Sequence, residues 1–271
     1  MKNSLAVVTG ASSGIGRAYA LFLAAKGYDL ILIARRSEAL ELLTKEIKEK
    51  FPVNVEFLTA DLSNRDGVDS VLAKINNRNT DVLVHAAGFG TRGHLADLPI
   101  EELEKQVYLH DVTATLLTRA VLPGMTERNT GFIIFISSMA AFLTTAEYPV
   151  YSATKSYLNI LATGLRDELA GTGIKVQAVC PGLTRTGFMH TEYYKNFDYS
   201  AVPDMFWMEP EEVVEESWRR LTHRYKPVVV SGRMNRIFLN TLQFPVLGNL
   251  IKTLMGRASR RRVAKGLPPA F

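Results

Sequence analysis

Thr9-Gly10-Ala11-Ser12-Ser13-Gly14-Ile15-Gly16 decides the fold. It follows an apolar run at residues 5–8 that reads as a strand, and it leads into an amphipathic stretch at 15–25 that reads as a helix. A glycine-rich turn placed there aims backbone N–H groups and the positive end of a helix dipole at one point, which suits a pyrophosphate. Gly10 permits the tight turn, Gly14 removes a Cβ from the phosphate path, and Gly16 lets helix and strand pack closely. Ser12, Ser13 and Ile15 complete the loop that would hold the phosphates. The spacing is G-x-x-x-G-x-G, not the commoner G-x-G-x-x-G. A plain tight turn can carry the same glycines; the strand before and the helix after are what favour a dinucleotide.

Outward from this turn the pattern repeats. Short, β-branched apolar runs at 30–33, 55–58, 82–84, 132–136, 176–179 and 228–230 alternate with helix patterns at 38–49, 100–122 and 152–169. Most of the runs are apolar at consecutive positions, as in strands buried on both faces of a parallel sheet. Strand and helix in alternation predict an α/β fold of the Rossmann type, a doubly wound parallel sheet. No repeat or low-complexity linker divides the 271 residues, so one domain over 1–271 is expected.

The second strand ends at Ala34-Arg35-Arg36, with Arg35 standing 19 residues beyond Gly16. A carboxylate there would bond the 2′-hydroxyl of NAD; Arg35 and Arg36 instead offer charge and a planar donor fork to a 2′-phosphate. NADP(H) is therefore preferred over NAD(H), against the alternative of two ordinary surface arginines. Further on, Tyr151-Ser152-Ala153-Thr154-Lys155 puts a phenol and an ammonium one helical turn apart on one face. The expectation is that Lys155 lowers the Tyr151 pKa toward a usable acid/base value. Ser138, thirteen residues upstream and just past a strand, can position a carbonyl oxygen. Taken alone, Tyr-x-x-x-Lys arises by chance in many helices.

Together these motifs resemble the short-chain dehydrogenase/reductase superfamily, in its short single-domain, NADP-dependent branch. The resemblance runs from about residue 4 to 232 and rests on Thr9-Gly10-x-x-x-Gly14-x-Gly16, Ala86-Ala87-Gly88, Ser138, Tyr151-x-x-x-Lys155 and Pro181-Gly182, all in order. It implies seven parallel strands in the order 3-2-1-4-5-6-7 with helices on both faces, and a homodimer or homotetramer. It further implies catalysis by Ser138, Tyr151 and Lys155, the last two also touching the cofactor. Asp61 and Leu62 would flank the adenine, Ala87 and Gly88 the ribose, and Pro181, Gly182, Thr184 and Thr186 the nicotinamide and pyrophosphate. Read alone, Asp61 is equally a helix N-cap and Pro181-Gly182 a plain turn.

Two departures stand out. Where the family often has Asn-Asn-Ala-Gly, this chain has His85-Ala86-Ala87-Gly88, which is expected to weaken strand bridging. The family's helical asparagine before Leu122-Pro123-Gly124-Met125 falls on His110 without a gap, or on Asp111 with one deletion. His110 either substitutes as a polar catalytic group or is a helix-face histidine without a role. The remaining histidines lack metal-ligand spacing, and no metal site is expected.

The expected activity is NADP(H)-dependent interconversion of a ketone or aldehyde and an alcohol, with Tyr151 as acid/base. The rivals are a non-catalytic NADP-binding sensor on the same fold and a nucleotide-sugar epimerase. Residues 188–208 are rich in aromatics and Met, inside a substrate lid expected at about 184–225, and favour a hydrophobic substrate against ordinary core or oligomer contact. Residues 218–271 hold twelve basic and no acidic residues, within a chain of net charge +5. The basic C-terminal segment at about 233–271 is either a solvated tail or a contact for a membrane surface or acidic carrier. Nucleic acid is not expected, since neither interleaved aromatics nor a known binding module is present. One cysteine, no run of 18 apolar residues and no signal-peptide pattern point to a cytoplasmic protein, peripheral to membrane at most.

Overall fold

Seven parallel strands form a single sheet in a computed structural model that describes residues 4–143, 147–190, 193 and 202–243. The strands are β1 (Leu5–Thr9), β2 (Asp29–Ala34), β3 (Val55–Thr59), β4 (Thr80–His85), β5 (Gly131–Ile136), β6 (Ile174–Cys180) and β7 (Val228–Val230). Their order is β3-β2-β1-β4-β5-β6-β7, the order the resemblance implied. Every apolar run read from the sequence is one of these strands, lengthened by a residue or two in most cases.

Consecutive apolar residues are needed because both faces are covered. Val7, Leu83, Ile133, Phe135 and Val176 point to one face, where α3 (Arg65–Ile75), α5 (Thr113–Glu127) and α6 (Pro149–Glu168) pack. Ala6, Val8, Val82, Val84, Ile134 and Val179 point to the other, against α1 (Gly14–Ala25), α2 (Ser37–Lys50) and α7 (Pro210–His223). Side chains along a strand alternate faces, so a run with no polar position is what two apolar layers require.

The chain winds from β1 outward to β3, then crosses back to place β4 beside β1. That reversal opens a crevice at the C-terminal ends of β1 and β4, the place where open α/β sheets take ligands. The glycine turn lies at this switch point.

The helix expected over 100–122 is longer and not uniform. α4 (Ile100–Val107) passes through a π turn at Tyr108–Val112 before α5. A π turn adds one residue to the helical count, and such turns gather at functional sites. Of the stretch expected as a lid, residues 210–223 instead form α7, which holds Val213, Val214 and Leu221 in the core and begins with a Glu209–Glu212 capping box. Of the basic C-terminal segment, 233–243 form α8 (Arg233–Gln243), and its remainder lies outside the described residues. No helix among the described residues is long and apolar enough to cross a membrane.

Candidate active site

The turn after β1 has the backbone its glycines were expected to supply. Gly10 has φ +66°, and a Cβ there would lie 2.7 Å from the Ala86 carbonyl carbon and the Ala87 nitrogen. Only a residue without a Cβ adopts this conformation so close to the end of β4. A Cβ on Gly16 would run into the Gly10 carbonyl, so helix and strand meet at backbone distance. At Gly14 (φ +54°) the missing Cβ leaves room for Thr186, whose Cγ2 would stand 3.0 Å away. That contact brings the 181–186 segment across the mouth of the turn.

Arg36 extends onto the same turn. Its Nη2 donates to Ser12 Oγ at 3.0 Å and to Ser13 Oγ at 2.8 Å. Arg35 is also exposed, and its charge is felt at Asp61. Asp61 is not an N-cap: Asn64 caps α3 by accepting from Gly67 N. Its Oδ1 accepts instead from the Ser63 backbone nitrogen and hydroxyl. Burial pushes the Asp61 carboxyl up, but these bonds, with Arg35 and Lys105, hold it below the usual carboxylate range. The side chain of Leu62 is buried in the core and its carbonyl accepts from Thr113.

The bridge from β1 to β4 survives the loss of the amide. Leu109 O, which only accepts, pairs with His85 Nε2 at 3.0 Å, so Nε2 carries the proton. His85 Nδ1 then accepts from Thr9 Oγ1 at 3.2 Å, and Thr9 Oγ1 accepts from Ala86 N and Ala87 N. Burial, followed by the Lys155 charge, pushes the His85 imidazole down to about 4, so it is neutral. No spacing in the sequence signals this role for His85.

Tyr151 and Lys155 lie one turn apart near the start of α6, both buried, at 9% and 5% exposed. Lys155 Nζ donates to Ile136 O at 2.9 Å and sits 5.6 Å from the centre of the Tyr151 ring. A Cβ on Gly88 would be 3.4 Å from Nζ, so the ammonium borders the loop after β4. Ser138 caps a short helix at Met139–Phe142, accepting from Ala140 N, and its hydroxyl is near enough to Tyr151 to pull the phenol pKa down. The adjacent Ser137 hydroxyl donates to the Lys155 carbonyl, tying β5 to α6.

The expected lowering of the tyrosine pKa by the lysine is not found. Burial pushes the Tyr151 phenol up to about 12, against a smaller pull from the Ser138 bond. Burial likewise brings the Lys155 ammonium down to about 8, with Asp111 opposing. Desolvation dominates both groups, and the ammonium is tied to a carbonyl on the strand side.

His110 stands in the π turn with both nitrogens engaged. Phe89 N donates to Nε2 at 3.3 Å, so Nδ1 carries the proton and donates to Thr154 Oγ1 at 2.9 Å. The Thr154 hydroxyl donates in turn to the Tyr151 carbonyl. The His110 ring is edge-on to that of Tyr151 at 6.0 Å, and burial holds it neutral. Asp111 is half-buried, its carboxyl pushed up to about 7 by burial against the pull of Lys155, and its Oδ1 has no partner among the described residues. Of the two candidates for the asparagine's place, His110 is the one packed against Tyr151.

Pro181 and Gly182 follow β6; Pro181 O accepts from Met139 N, and Gly182 lies against the buried Asn235 of α8, a neighbour not foreseen. Thr184 pairs with Met208 in a short parallel bridge, and Thr186 Oγ1 accepts from Phe188 N. The Phe188 ring lies 6.0 Å from that of Tyr151. Among the described residues no three His, Cys, Asp or Glu side chains gather as a metal would require.

Comparison with known proteins bears on this geometry. A family model described as short chain dehydrogenase matches residues 4–196. The chain is 35% identical over 189 residues to the "Uncharacterized oxidoreductase YmfI" of Bacillus subtilis, covering 69% of this chain and 78% of that protein. It is 34% identical over 180 residues to the "Very-long-chain 3-oxoacyl-CoA reductase" of Bos taurus, covering 65% of this chain and 58% of the bovine enzyme. It is 35% identical over 190 residues to the "Putative steroid dehydrogenase 2" of Caenorhabditis elegans, covering 68% of this chain and 60% of that protein, so the chain spans about 60% of these longer animal proteins. Among solved structures, a short-chain dehydrogenase from Sphingobium yanoikuyae in complex with NADPH superposes with a TM-score of 0.78 at 29% identity, covering 93% of this chain and 95% of that one.

Proposed function

The chain belongs to the short-chain dehydrogenase family, and on that premise we propose that it is an NADP(H)-dependent oxidoreductase interconverting a ketone or aldehyde and an alcohol. The observation that carries the reading is the convergence of Ser138, Tyr151 and Lys155 beside Gly88, at the switch point whose other wall is the Gly10–Gly16 turn.

The residues present fit a nicotinamide dinucleotide. Gly10 and Gly16 leave no side chain between the turn and the end of β4, and Ser12, Ser13, Gly14 and Ile15 open α1 toward a pyrophosphate. Asp61 and Leu62 would border the adenine; Ala87 and Gly88 with Lys155 the nicotinamide ribose; Pro181, Gly182, Thr184 and Thr186 the nicotinamide and phosphates. Arg36, held on two serine hydroxyls with Arg35 next to it, makes a cationic subsite for a 2′-phosphate and favours NADP(H) over NAD(H). When bound, the nicotinamide supplies or accepts a hydride.

The chain's own residues supply the rest. Ser138 accepts from Ala140 N, which leaves its O–H to donate to a substrate oxygen. Tyr151 is protonated near neutral pH because burial pushes its phenol up, and that form donates a proton to the oxygen during reduction. Lys155, anchored on Ile136, keeps a positive charge beside the forming alkoxide and within reach of the ribose. His110, neutral and bonded at both nitrogens, contributes by position, joining the Phe89 backbone to the helix that carries Tyr151.

Phe188 beside Tyr151, in an aromatic and Met-rich stretch, supports a hydrophobic substrate and a lid narrowed to about 184–209. Exposed Val107, Val112, Tyr157 and Ile160 on α4, the π turn and α6 support a homodimer or homotetramer. The basic composition after residue 217 supports contact with an anionic membrane surface or carrier; equal flotation of full-length protein and a 1–253 truncation on anionic vesicles would remove that idea.

A panel of ketones, aldehydes and alcohols offered with NADPH and with NADH tests the reading. Turnover with NADPH above that with NADH is expected. Binding of NADPH with no consumption against any substrate would leave the sensor reading in its place.

A further inference from the structure

Arg92 and Glu147 form an ion pair whose arginine side chain is only 8% exposed, with Nε 2.6 Å from Oε2. The two residues come from different loops. Arg92 lies four residues beyond Gly88, in the loop leaving β4; Glu147 lies four residues before Tyr151, at the entry to α6. Gly93 N also donates to the Glu147 carbonyl at 3.0 Å, so the loops are joined through backbone as well.

The pair closes a ring around the proton donor. From Phe89, whose nitrogen is bonded to His110, the chain runs to Arg92; across the ion pair it continues through Glu147 and Tyr148 to Tyr151; and the Tyr151 ring returns edge-on to His110. Within the ring the Arg92 guanidinium lies 5.6 Å from the centre of the Tyr148 ring. Tyr148 is near enough to Tyr151 to act on its ionisation. The first loop is further fixed at Thr91, whose hydroxyl donates to Gln106 Oε1 on α4 at 2.7 Å.

A buried ion pair is weak evidence for stability, because desolvation offsets most of the attraction. Its effect here is geometric: it joins the two loops and brings the guanidinium beside the Tyr148 ring. We propose that Arg92 and Glu147 are positioning residues that hold Tyr148 as a wall of the carbonyl site and thereby set which substituents beside the carbonyl are accepted. This rests on the oxidoreductase reading above.

The test compares wild type, Arg92→Lys, Tyr148→Ala and the paired Arg92→Met/Glu147→Leu, which removes both charges at similar volume. For each, kcat and KM are measured on one compact and one bulky ketone, with the dissociation constant for NADPH and Tm alongside. The paired variant and Tyr148→Ala should change the bulky-to-compact ratio of kcat/KM by about tenfold, mostly through KM, the size of one or two contacts in an apolar pocket. NADPH affinity should not move. Arg92→Lys keeps the charge but not the planar face, and should fall between wild type and the paired variant.

An unchanged ratio in a folded paired variant overturns the proposal, as does a ratio that changes only together with NADPH affinity. Should the paired variant fail to fold, Tyr148→Ala and Arg92→Lys decide by the same ratio. Wild-type protein inert toward every carbonyl overturns the oxidoreductase reading and this inference with it; an active wild type with an unmoved ratio overturns this inference alone.

Discussion

His110 Nδ1 donates to the Thr154 hydroxyl at 2.9 Å, and that hydroxyl donates onward to the backbone carbonyl of Tyr151. A ring in the π turn thus anchors the first turn of the helix that presents the phenol. Replacing His110 with Ala would leave the Phe89 N–H without its acceptor and take away the donor to Thr154 Oγ1, whose own bond to the Tyr151 carbonyl remains. The orphaned N–H costs about 1–3 kcal/mol and the cavity left by the ring adds to it, so a loss of roughly 2–5 kcal/mol is expected in urea unfolding. His110→Asn, with an amide to serve both partners, should recover part of it. Equal stability of His110→Ala and wild type would contradict this anchoring.

Acid should destabilise the protein before its carboxylates titrate. His85 is held neutral in the folded chain, down to about 4, below the unfolded value of 6.5. A lowered histidine leaves the unfolded state binding more protons, so this contribution is complete above pH 6.5 and is lost as pH falls toward 4. The loss amounts to roughly 3 kcal/mol by pH 4. Urea midpoints between pH 7 and 4.5 should fall, and His85→Gln should flatten that slope while lowering stability at pH 7. An undiminished slope in His85→Gln would show that the decline belongs to other groups.

The direction of catalysis should depend on pH through Tyr151. Its phenol, pushed up to about 12, is in the donating form throughout pH 6–8, so reduction should be nearly flat from pH 6 to 7 and decline only as Lys155, brought down to about 8, loses its charge. Alcohol oxidation needs the phenolate, and its kcat/KM should climb roughly tenfold per pH unit up to about pH 8, where Lys155 begins to lose its charge. Oxidation that levels off below pH 8 would contradict the burial-raised phenol.

Arg36 should discriminate the cofactors. Replacing it with Ala removes charge-assisted bonds to a 2′-phosphate, each worth about 1.5–3 kcal/mol, so NADPH affinity should drop roughly 10- to 100-fold while NADH affinity holds. Titration by cofactor fluorescence reads both constants. Equal losses for the two cofactors would place Arg36 outside the 2′-phosphate subsite.

What was legible in the sequence follows from periodicity and local chemistry. All seven strands stood out because a sheet covered on both faces favours apolar residues at consecutive positions, as Phe132–Ile136 demonstrates, and β6 is legible despite Lys175 and the buried Gln177 within it. The glycine turn was legible because Gly10 and Gly16 answer to steric limits that no side chain meets. The π turn was not, since one extra residue in a helix leaves hydropathy nearly unchanged; the choice between His110 and Asp111 needed coordinates. The rise of the Tyr151 pKa was equally hidden: spacing shows that Lys155 is near, but not that burial outweighs it or that Ile136 O holds the ammonium. The Arg92–Glu147 pair joins residues 55 positions apart through two loops, beyond any local pattern.

The most direct measurement is NADPH consumption with a responsive carbonyl by wild type and by Tyr151→Phe, with NADPH binding measured on both proteins. The variant should bind NADPH as wild type does and lose roughly 10²–10⁴-fold in kcat, the worth of a positioned proton donor. A Tyr151→Phe enzyme that binds NADPH and reduces the carbonyl at the wild-type rate would contradict the assignment of the proton donor.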